Sequence, residues 1–184
     1  MTDSKQNLID ELRTHALVIG EVTLTSGLVA QYYVDAKRAT LLPAGFRALG
    51  ELVAAQAREW GATAVGGLTM GADPVACAAL AAGFDGKAFF VRKEVKQHGL
   101  SRRIEGPLAE PDDRVCIVED VVSTGGSTIK AIDAFNEAGI PIVGIISVLD
   151  RLAGGGDAIA AAAPGVPYVP LTTIDDVHPE RPDR

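Results

Sequence analysis

The stretch RVCIVEDVVSTGGSTIK, residues 114–130, changes character twice along its length. It opens with the apolar run 115–118, rich in β-branched residues, which predicts a buried strand. Two acids, Glu119 and Asp120, follow side by side at the predicted carboxyl end of that strand. Small residues come next, at 123–128, and apolar residues then return at helical spacing. The stretch therefore predicts a strand, a small turn and a helix.

A small, glycine-rich turn between a strand and a helix is suited to binding an anion. Glycines let the backbone approach a ligand closely, and the helix N-terminus offers unpaired N–H donors at the positive end of the helix dipole. We expect main-chain N–H groups to hold a phosphate together with the hydroxyls of Ser123, Thr124, Ser127 and Thr128. The alternative is an ordinary connection in which these Ser and Thr residues cap the helix.

The carboxylates of Glu119 and Asp120 would repel an anion if they faced it. They fit a ligand with two different ends, in which acids contact sugar hydroxyls, a divalent cation or developing positive charge. A ribose 5-phosphate unit carries an anion at one end and a diol at the other. The pattern therefore predicts a phosphorylated sugar as the ligand.

Length and composition narrow the function classes. The chain has 184 residues, which is typical of a single domain, with 47% hydrophobic and 22% charged residues. Its formal net charge of −7 disfavours general binding to nucleic acid or an anionic membrane, so an anionic ligand needs a local basic site. The polar N-terminus does not resemble a signal peptide, and no apolar stretch reaches the length of a membrane span. Cys77 and Cys116 lie apart in apolar segments, which predicts reduced core residues in the cytoplasm.

Alternating strand and helix patterns around the central stretch predict a mainly parallel sheet flanked by helices. A hairpin turned at residues 26–27 is expected near the N-terminus, with Tyr32 and Tyr33 on opposite faces of its second strand. One ring would then lie in the core, and the other would be free to cover a planar ligand. A second glycine-rich segment, GGLTMG at residues 66–71, predicts either another anion loop or a plain connection.

Residues 92–106 concentrate positive charge in an otherwise acidic chain and show little apolar periodicity. Such a long irregular segment is uncommon in a compact domain unless it covers a site, so we expect a mobile loop over a polyanion. A solvated charged loop is the alternative. Arg151 follows another apolar strand, at the sheet edge where ligands bind, and its guanidinium suits a carboxylate or an imide. A surface ion pair is the alternative for Arg151.

The chain resembles the orotate phosphoribosyltransferases, a family of type I phosphoribosyltransferases, over nearly its full length, and four segments carry the resemblance. VEDVVSTGGS, residues 118–127, resembles the family's motif for phosphoribosyl diphosphate (PRPP). RKEVKQHG, residues 92–99, resembles its mobile catalytic loop. TSG at residues 25–27, with the two tyrosines after it, resembles the N-terminal hood that stacks on orotate. The Asp-Arg pair at residues 150–151 resembles the position of an orotate-binding arginine.

The resemblance implies a type I phosphoribosyltransferase fold in one domain, residues 1–184. Residues 1–42 and part of the C-terminus would form the hood, and residues 92–106 the mobile loop. It implies a pentosyltransferase, a kind of glycosyltransferase, that converts orotate and PRPP into orotidine 5′-monophosphate and diphosphate in UMP biosynthesis. It also implies Mg²⁺ held mainly by PRPP, with no metal ligands of the protein's own. The implied assembly is a homodimer with sites shared across the interface.

The resemblance also implies roles for individual residues. The implied catalytic residues are Glu119, Asp120, Lys96 and His98. The implied PRPP-binding residues are Arg92, Lys93, Lys96, His98, Glu119, Asp120, Val121, Val122, Ser123, Thr124, Gly125, Gly126 and Ser127. The residues implied for orotate are Ser123, Arg151, Tyr32 and Tyr33.

Two departures from the family pattern affect this site. Thr25 stands where many relatives have a hood lysine, and Thr69-Met70 stands where many have Tyr-Lys. Lys37 and Arg38 are the two alternatives for replacing the hood charge. Two other functions remain open: a purine phosphoribosyltransferase, which should lack the Arg-Lys-x-x-Lys-x-His loop, and a non-catalytic PRPP-binding regulator, which would typically carry a DNA-binding element.

Overall fold

The structure is a computed structural model that describes residues 2–23, 29–93, 103–108 and 112–182. The predicted hairpin turn at 26–27, and the loop residues Lys96 and His98, lie outside these ranges. The helices are α1 (Thr2–Glu11), α2 (Lys37–Thr40), α3 (Pro43–Glu59), α4 (Ala72–Ala81), α5 (Gly126–Ala138), α6 (Gly155–Ala162) and α7 (Ile174–Val177). The strands are β1 (Leu17–Thr23), β2 (Val29–Val34), β3 (Ala64–Leu68), β4 (Lys87–Val91), β5 (Ile104–Glu105), β6 (Val115–Val122), β7 (Ile142–Asp150) and β8 (Tyr168–Thr173).

The strands form a two-stranded antiparallel hairpin, β1–β2, and a six-stranded sheet in the order β5-β4-β3-β6-β7-β8. In the larger sheet every pair is parallel except the antiparallel pair β4–β5. The chain adds strands in one direction after β3 and in the other after β6, so the order reverses between these two strands. Ligands of parallel α/β sheets bind at such a reversal, outside the carboxyl ends of the strands.

Apolar side chains of β6 alternate between the two faces of the sheet, as the period of two in a strand requires. Cys116 and Val118 pack in the core that contains α3 and α4 residues. Val115 and Ile117 pack on the other face, among residues of α5 and α6. Helices therefore cover both faces, and the predicted α/β class with a mainly parallel sheet is confirmed.

A proline and glycines mark element boundaries as their backbone preferences lead one to expect, except after β3. Pro43 begins α3, where its fixed φ and missing N–H are favourable. Gly139 follows α5 with a φ of 68°, a conformation that glycine adopts at little cost. Gly66 and Gly67 lie within β3, which continues to Leu68, so the turn after β3 is shorter than predicted.

The prediction of two core cysteines is confirmed for Cys116 and wrong for Cys77, which is exposed on α4. Helix α4 is rich in alanine, so hydrophobic periodicity does not identify its buried face. The C-terminal segment packs on the N-terminal one: Arg13 Nε donates to the carbonyl of Asp176 at 2.9 Å. Within the described ranges, no helix combines the length and apolar character needed to cross a bilayer.

Phe135 of α5 tests the core on that face of the sheet, because it is fully buried and meets Phe89 edge to face at 4.8 Å. Replacing Phe135 with Ala leaves a cavity, and we expect the free energy of unfolding to fall by about 3–5 kcal/mol in urea titrations. Leu80→Ala is the control, since Leu80 is 38% exposed. The control should lose about 0.5 kcal/mol or less. Equal losses in the two variants would contradict the packing of α5.

Candidate active site

A cleft of about 580 Å³ lies where the strand order reverses, at the carboxyl ends of β3, β6 and β7. Its walls come from the connections that follow these strands and from the end of the β1–β2 hairpin. The cleft brings together many of the predicted site residues, namely Tyr33, Lys93, Glu119, Asp120, Val121, Ser123, Ser127 and Arg151. Sequence separation between them is large, so the sheet topology is what assembles the site.

The two acids were predicted to lie side by side at the carboxyl end of the strand, and the structure differs from this prediction. Strand β6 continues to Val122, so Glu119 and Asp120 are strand residues and point to opposite faces of the sheet. Glu119 is 4% exposed and faces α5, where its Oε2 accepts a hydrogen bond from Thr128 Oγ1 at 3.4 Å. Asp120 faces the other side, toward α2 and the turn after β3.

Asp120 is held by contacts to both of its carboxylate oxygens. Its Oδ1 accepts from the backbone N–H of Val121 at 2.8 Å, and its Oδ2 lies 3.3 Å from Lys37 Nζ. The same Nζ lies 2.9 Å from Asp35 Oδ1. A Cβ at Gly71 would collide with the Asp120 carboxylate, so only glycine allows this close approach. The carboxylate thus has one orientation, fixed from three sides.

Lys37, rather than Arg38, brings positive charge into the cleft. Lys37 lines the cleft, whereas Arg38 is exposed on α2 and is not part of the lining. Burial lowers the pKa of Lys37, but the carboxylates of Asp35 and Asp120 outweigh it and the pKa is raised overall. Lys37 was predicted only as one of two alternatives for the hood charge, and no sequence pattern indicated its ion pair with Asp120.

Glu119 is kept neutral near pH 7. Burial, followed by the neighbouring Asp120 carboxylate, raises the pKa of Glu119 to about 8. The raised pKa favours the protonated form of Glu119 at neutral pH. A protonated carboxyl can also donate a hydrogen bond, which an anion site can use.

The turn between β6 and α5 has the geometry of an anion site. Gly125 adopts a φ of 80°, and α5 begins at Gly126 without a side-chain cap on its first N–H groups. A pocket of about 340 Å³ opens on this turn. Its predicted members are Glu119, Val121, Val122, Ser123, Thr124, Gly125, Gly126, Ser127 and Thr128, and Lys130 completes the lining. The predicted strand, turn and helix are confirmed, and phosphate binding there stays a prediction.

The two adjacent tyrosines separate as the strand pattern predicts. Tyr33 is 39% exposed and lines the cleft, where a planar ligand can reach its ring. Tyr32 is 2% exposed and lies in the core, so of the two rings only Tyr33 is open to the cleft, and the contact of Tyr32 with orotate stays an untested prediction. The Tyr32 ring supports Arg151, whose guanidinium carbon lies 5.1 Å from the ring centroid.

Arg151 lines the cleft and has a side-chain N–H donor available to a ligand. Its backbone N–H donates to the carbonyl of Val122 at 2.8 Å, which ties the end of β7 to the end of β6. Its Nε is buried and has no hydrogen-bond partner in the described part of the chain. A buried donor without a partner is costly, so a ligand acceptor in the cleft would compensate for it.

The basic residues at the base of the predicted loop differ in their surroundings. Lys93 is exposed and lines the cleft. Arg92 pairs with Glu105 at 3.0 Å and lines a neighbouring cleft of about 620 Å³, which Lys93 also lines. Arg103 lies 3.5 Å from Glu137 of α5, so its charge is directed at the protein itself. In the described residues no group of three or more His, Cys, Asp or Glu side chains is placed to hold a metal ion.

Glu119→Gln tests the neutral state of Glu119 through stability. The unfolded chain releases this proton above about pH 4.5 and the folded protein only above about pH 8, so wild-type stability falls between these values. The fall approaches about 1.4 kcal/mol per pH unit. The Gln variant has no titrating group at this position and so does not show this fall in stability. Its free energy of unfolding relative to the wild type should therefore increase between pH 5 and pH 8 in urea titrations.

The control is Glu21→Gln, which removes an exposed acid from β1. Its stability difference from the wild type should stay nearly constant over the same pH range. A constant difference for Glu119→Gln as well would show that Glu119 is ionised in the folded protein.

Comparison with known proteins identifies the family. Residues 40–162 match the model of the phosphoribosyl transferase domain. The orotate phosphoribosyltransferase of Corynebacterium glutamicum (strain R) is 46% identical over 176 residues, which cover 95% of this chain and 94% of that protein. The orotate phosphoribosyltransferase of Streptomyces avermitilis is 46% identical over 172 residues, with 91% and 93% covered.

Solved structures agree with the sequence comparisons. Orotate phosphoribosyltransferase from Mycobacterium tuberculosis H37Rv, in complex with PRPP, superposes with a TM-score of 0.79 at 36% identity, covering 95% of this chain and 98% of that one. Adenine phosphoribosyltransferase from Leishmania donovani has a TM-score of 0.71 at 14% identity, over 94% and 82% of the two chains, which shows a shared fold alone. The chain therefore belongs to the orotate phosphoribosyltransferase family, as its motifs predicted.

Proposed function

We propose that the protein transfers the 5-phosphoribosyl group of PRPP to orotate, giving orotidine 5′-monophosphate and diphosphate. The observation that carries the proposal is a cleft with an acid pair and Arg151, which shares Ser123 and Ser127 with the pocket on the glycine-rich turn at a helix N-terminus. The acid pair, Arg151 and the turn suit, in that order, the ribose hydroxyls, the carboxylate or imide of orotate and the 5′-phosphate. Relatives 46% identical over most of the chain carry this activity in their names.

The acid pair suits the bond changes of this reaction. The bond from C1 of PRPP to diphosphate breaks, its electron pair leaves with diphosphate, and N1 of orotate bonds to C1 after losing its proton. Positive charge develops on the ribose ring, and the oriented Asp120 carboxylate would stabilise it. Glu119, protonated beneath the turn, would donate a hydrogen bond without adding charge that repels a phosphate.

The leaving diphosphate needs positive charge. Lys93 lies at the edge of the cleft, and Lys96 and His98 of the loop, with Arg92 at its base, are proposed to neutralise diphosphate as it departs. Loop closure over the cleft would also exclude water that would otherwise hydrolyse PRPP. Ser123 would contact both substrates, because it lies between the turn and the cleft.

Mg²⁺ is the proposed cofactor, held chiefly by phosphate and hydroxyl oxygens of PRPP, as suits a hard cation that keeps few protein ligands. Bound there, it would neutralise charge on diphosphate. The acid that remains charged in the cleft, Asp120, is the side chain best placed to support such a complex.

The assembly and location also remain proposals. A homodimer with shared sites is supported by exposed apolar side chains beside the cleft, such as Met70 at 70% exposure and Leu41 at 60%. The hood, residues 1–42 with part of the C-terminus, is supported by the edge contact between the Tyr32 and His178 rings. A cytoplasmic location rests on the expectation of reduced cysteines.

A base-selection assay tests the function directly. Protein, Mg²⁺ and PRPP are mixed separately with orotate, hypoxanthine or adenine, and consumption of each base and release of diphosphate are measured. We expect consumption of orotate alone, and loss of that activity when a chelator removes Mg²⁺. Consumption of a purine would favour a purine phosphoribosyltransferase, and binding of PRPP without turnover would favour a regulator.

Arg151→Ala tests the orientation of orotate in the cleft. Loss of the guanidinium should raise KM for orotate by about tenfold or more, and KM for PRPP much less, because the two substrates use different parts of the cleft. Steady-state kinetics with each substrate varied in turn measures both constants. Arg38→Ala, which removes an exposed arginine outside the lining, is the control. Equal increases in both constants would assign Arg151 a structural role.

A further inference from the structure

A buried polar network lies directly behind Arg151. Asp150, the last residue of β7, is 4% exposed, and its Oδ2 accepts a hydrogen bond from the Tyr168 hydroxyl at 2.8 Å. The Tyr168 oxygen also lies 2.8 Å from Ser147 Oγ. Because the Tyr168 proton is directed at Asp150, the fully buried Ser147 is the donor to Tyr168. The network therefore joins the first residue of β8 to two residues of β7.

The other oxygen of Asp150 controls the backbone beyond Arg151. Asp150 Oδ1 accepts from the backbone N–H of Leu152 at 2.7 Å. Leu152 has a φ of 57°, in the left-handed region that a leucine rarely adopts. The Asp150 carboxylate thus stabilises an unfavourable turn immediately after Arg151, and Tyr168 holds that carboxylate in place.

Arg151 is consequently fixed on both sides of its Cα. Its own N–H bonds the carbonyl of Val122, and the next N–H bonds Asp150. These contacts, with the Tyr32 ring beneath the guanidinium, direct the side chain into the cleft. Neither Asp150 nor Tyr168 is among the residues that line the cleft, so neither contacts a ligand there directly, and Arg151 is the cleft residue that their hydrogen bonds hold.

We infer that Asp150 and Tyr168 are positioning residues that orient the guanidinium of Arg151 in the cleft. Through this orientation they would determine which base the protein binds. The inference rests on the proposed function, in which Arg151 contacts orotate. Space around the network is restricted, since a Cβ at Gly156 would lie 3.2 Å from the Tyr168 ring and 3.5 Å from Asp150 Oδ2. The network therefore has little freedom to rearrange when one member is changed.

Tyr168→Phe is the test, because it removes one hydroxyl and keeps the ring. We expect KM for orotate to rise about tenfold, as for loss of a hydrogen bond to a charged group, and KM for PRPP to change by less than about twofold. Asp150→Asn should act in the same direction, since an amide nitrogen replaces one acceptor oxygen. Equal increases in both KM values, or no change in either, would overturn the inference.

The matched control is Thr172→Val. Thr172 is a fully buried residue of β8 whose hydroxyl bonds the carbonyl of Val148 at 2.6 Å, so the variant also loses a hydrogen bond between β7 and β8. We expect lower stability in urea titrations without a difference between the two KM values. A similar preferential rise in KM for orotate in this control would assign the effect of Tyr168→Phe to general loosening of the sheet.

A double-mutant cycle distinguishes an effect of Tyr168 that acts through the orientation of Arg151 from an effect of Tyr168 on orotate that does not need Arg151. In an Arg151→Ala background, Tyr168→Phe should leave KM for orotate unchanged, because there is no guanidinium left to aim. Independent, multiplicative effects of the two changes would overturn the inference while the proposed function stands. Failure of the proposed function would appear in the wild type, as no consumption of orotate, and the inference would fail with it.

Discussion

The short pairing between β3 and β6 is the constraint on which the site depends. Their ladder ends at Gly66 and Ile117, although β6 continues to Val122 and pairs there with β7. The strands therefore separate toward their carboxyl ends, and the part of β6 that carries Glu119 and Asp120 has an open side. Connections to α4 and α5 leave toward opposite faces of the sheet, so neither helix fills the gap. The reversal of strand order and this separation together leave a cleft at this point.

Separation of the acids onto two faces explains how an acidic site can accept a polyanion. The formal net charge of −7 counts both acids as ionised, and two charged carboxylates in the cleft would oppose a phosphorylated sugar. Glu119 is buried near the helix N-terminus and carries a proton at neutral pH. Asp120 faces Lys37, which offsets its charge. The pocket proposed for phosphate thus carries less negative charge than its acids alone suggest, and the Asp120 carboxylate lies in the part of the cleft proposed for the ribose.

Sequence patterns predicted the elements better than the contacts between them. The strand, turn and helix around Glu119 are encoded locally, by an apolar run and by glycines that few other residues could replace. The true end of β6 was not predicted, because charged residues inside a strand resemble the start of a turn. Tyr32 and Tyr33 were correctly divided between core and surface, but which one was buried depends on the register with β1. The exposure of Cys77 likewise depends on how α4 packs rather than on its composition.

The ion pair between Lys37 and Asp120 connects the N-terminal region with the sheet, and its value is best judged from its exposure. The Lys37 side chain is 38% exposed, and an ion pair so open to solvent contributes little to the stability of a fold. The ion pair does help to orient Asp120, because one carboxylate oxygen accepts from a backbone N–H and the other is directed at Lys37. Met70 brings no charge to the cleft, and the cation that faces the acid comes from α2. Lys37 is thus better understood as orienting Asp120 and balancing its charge than as a structural link.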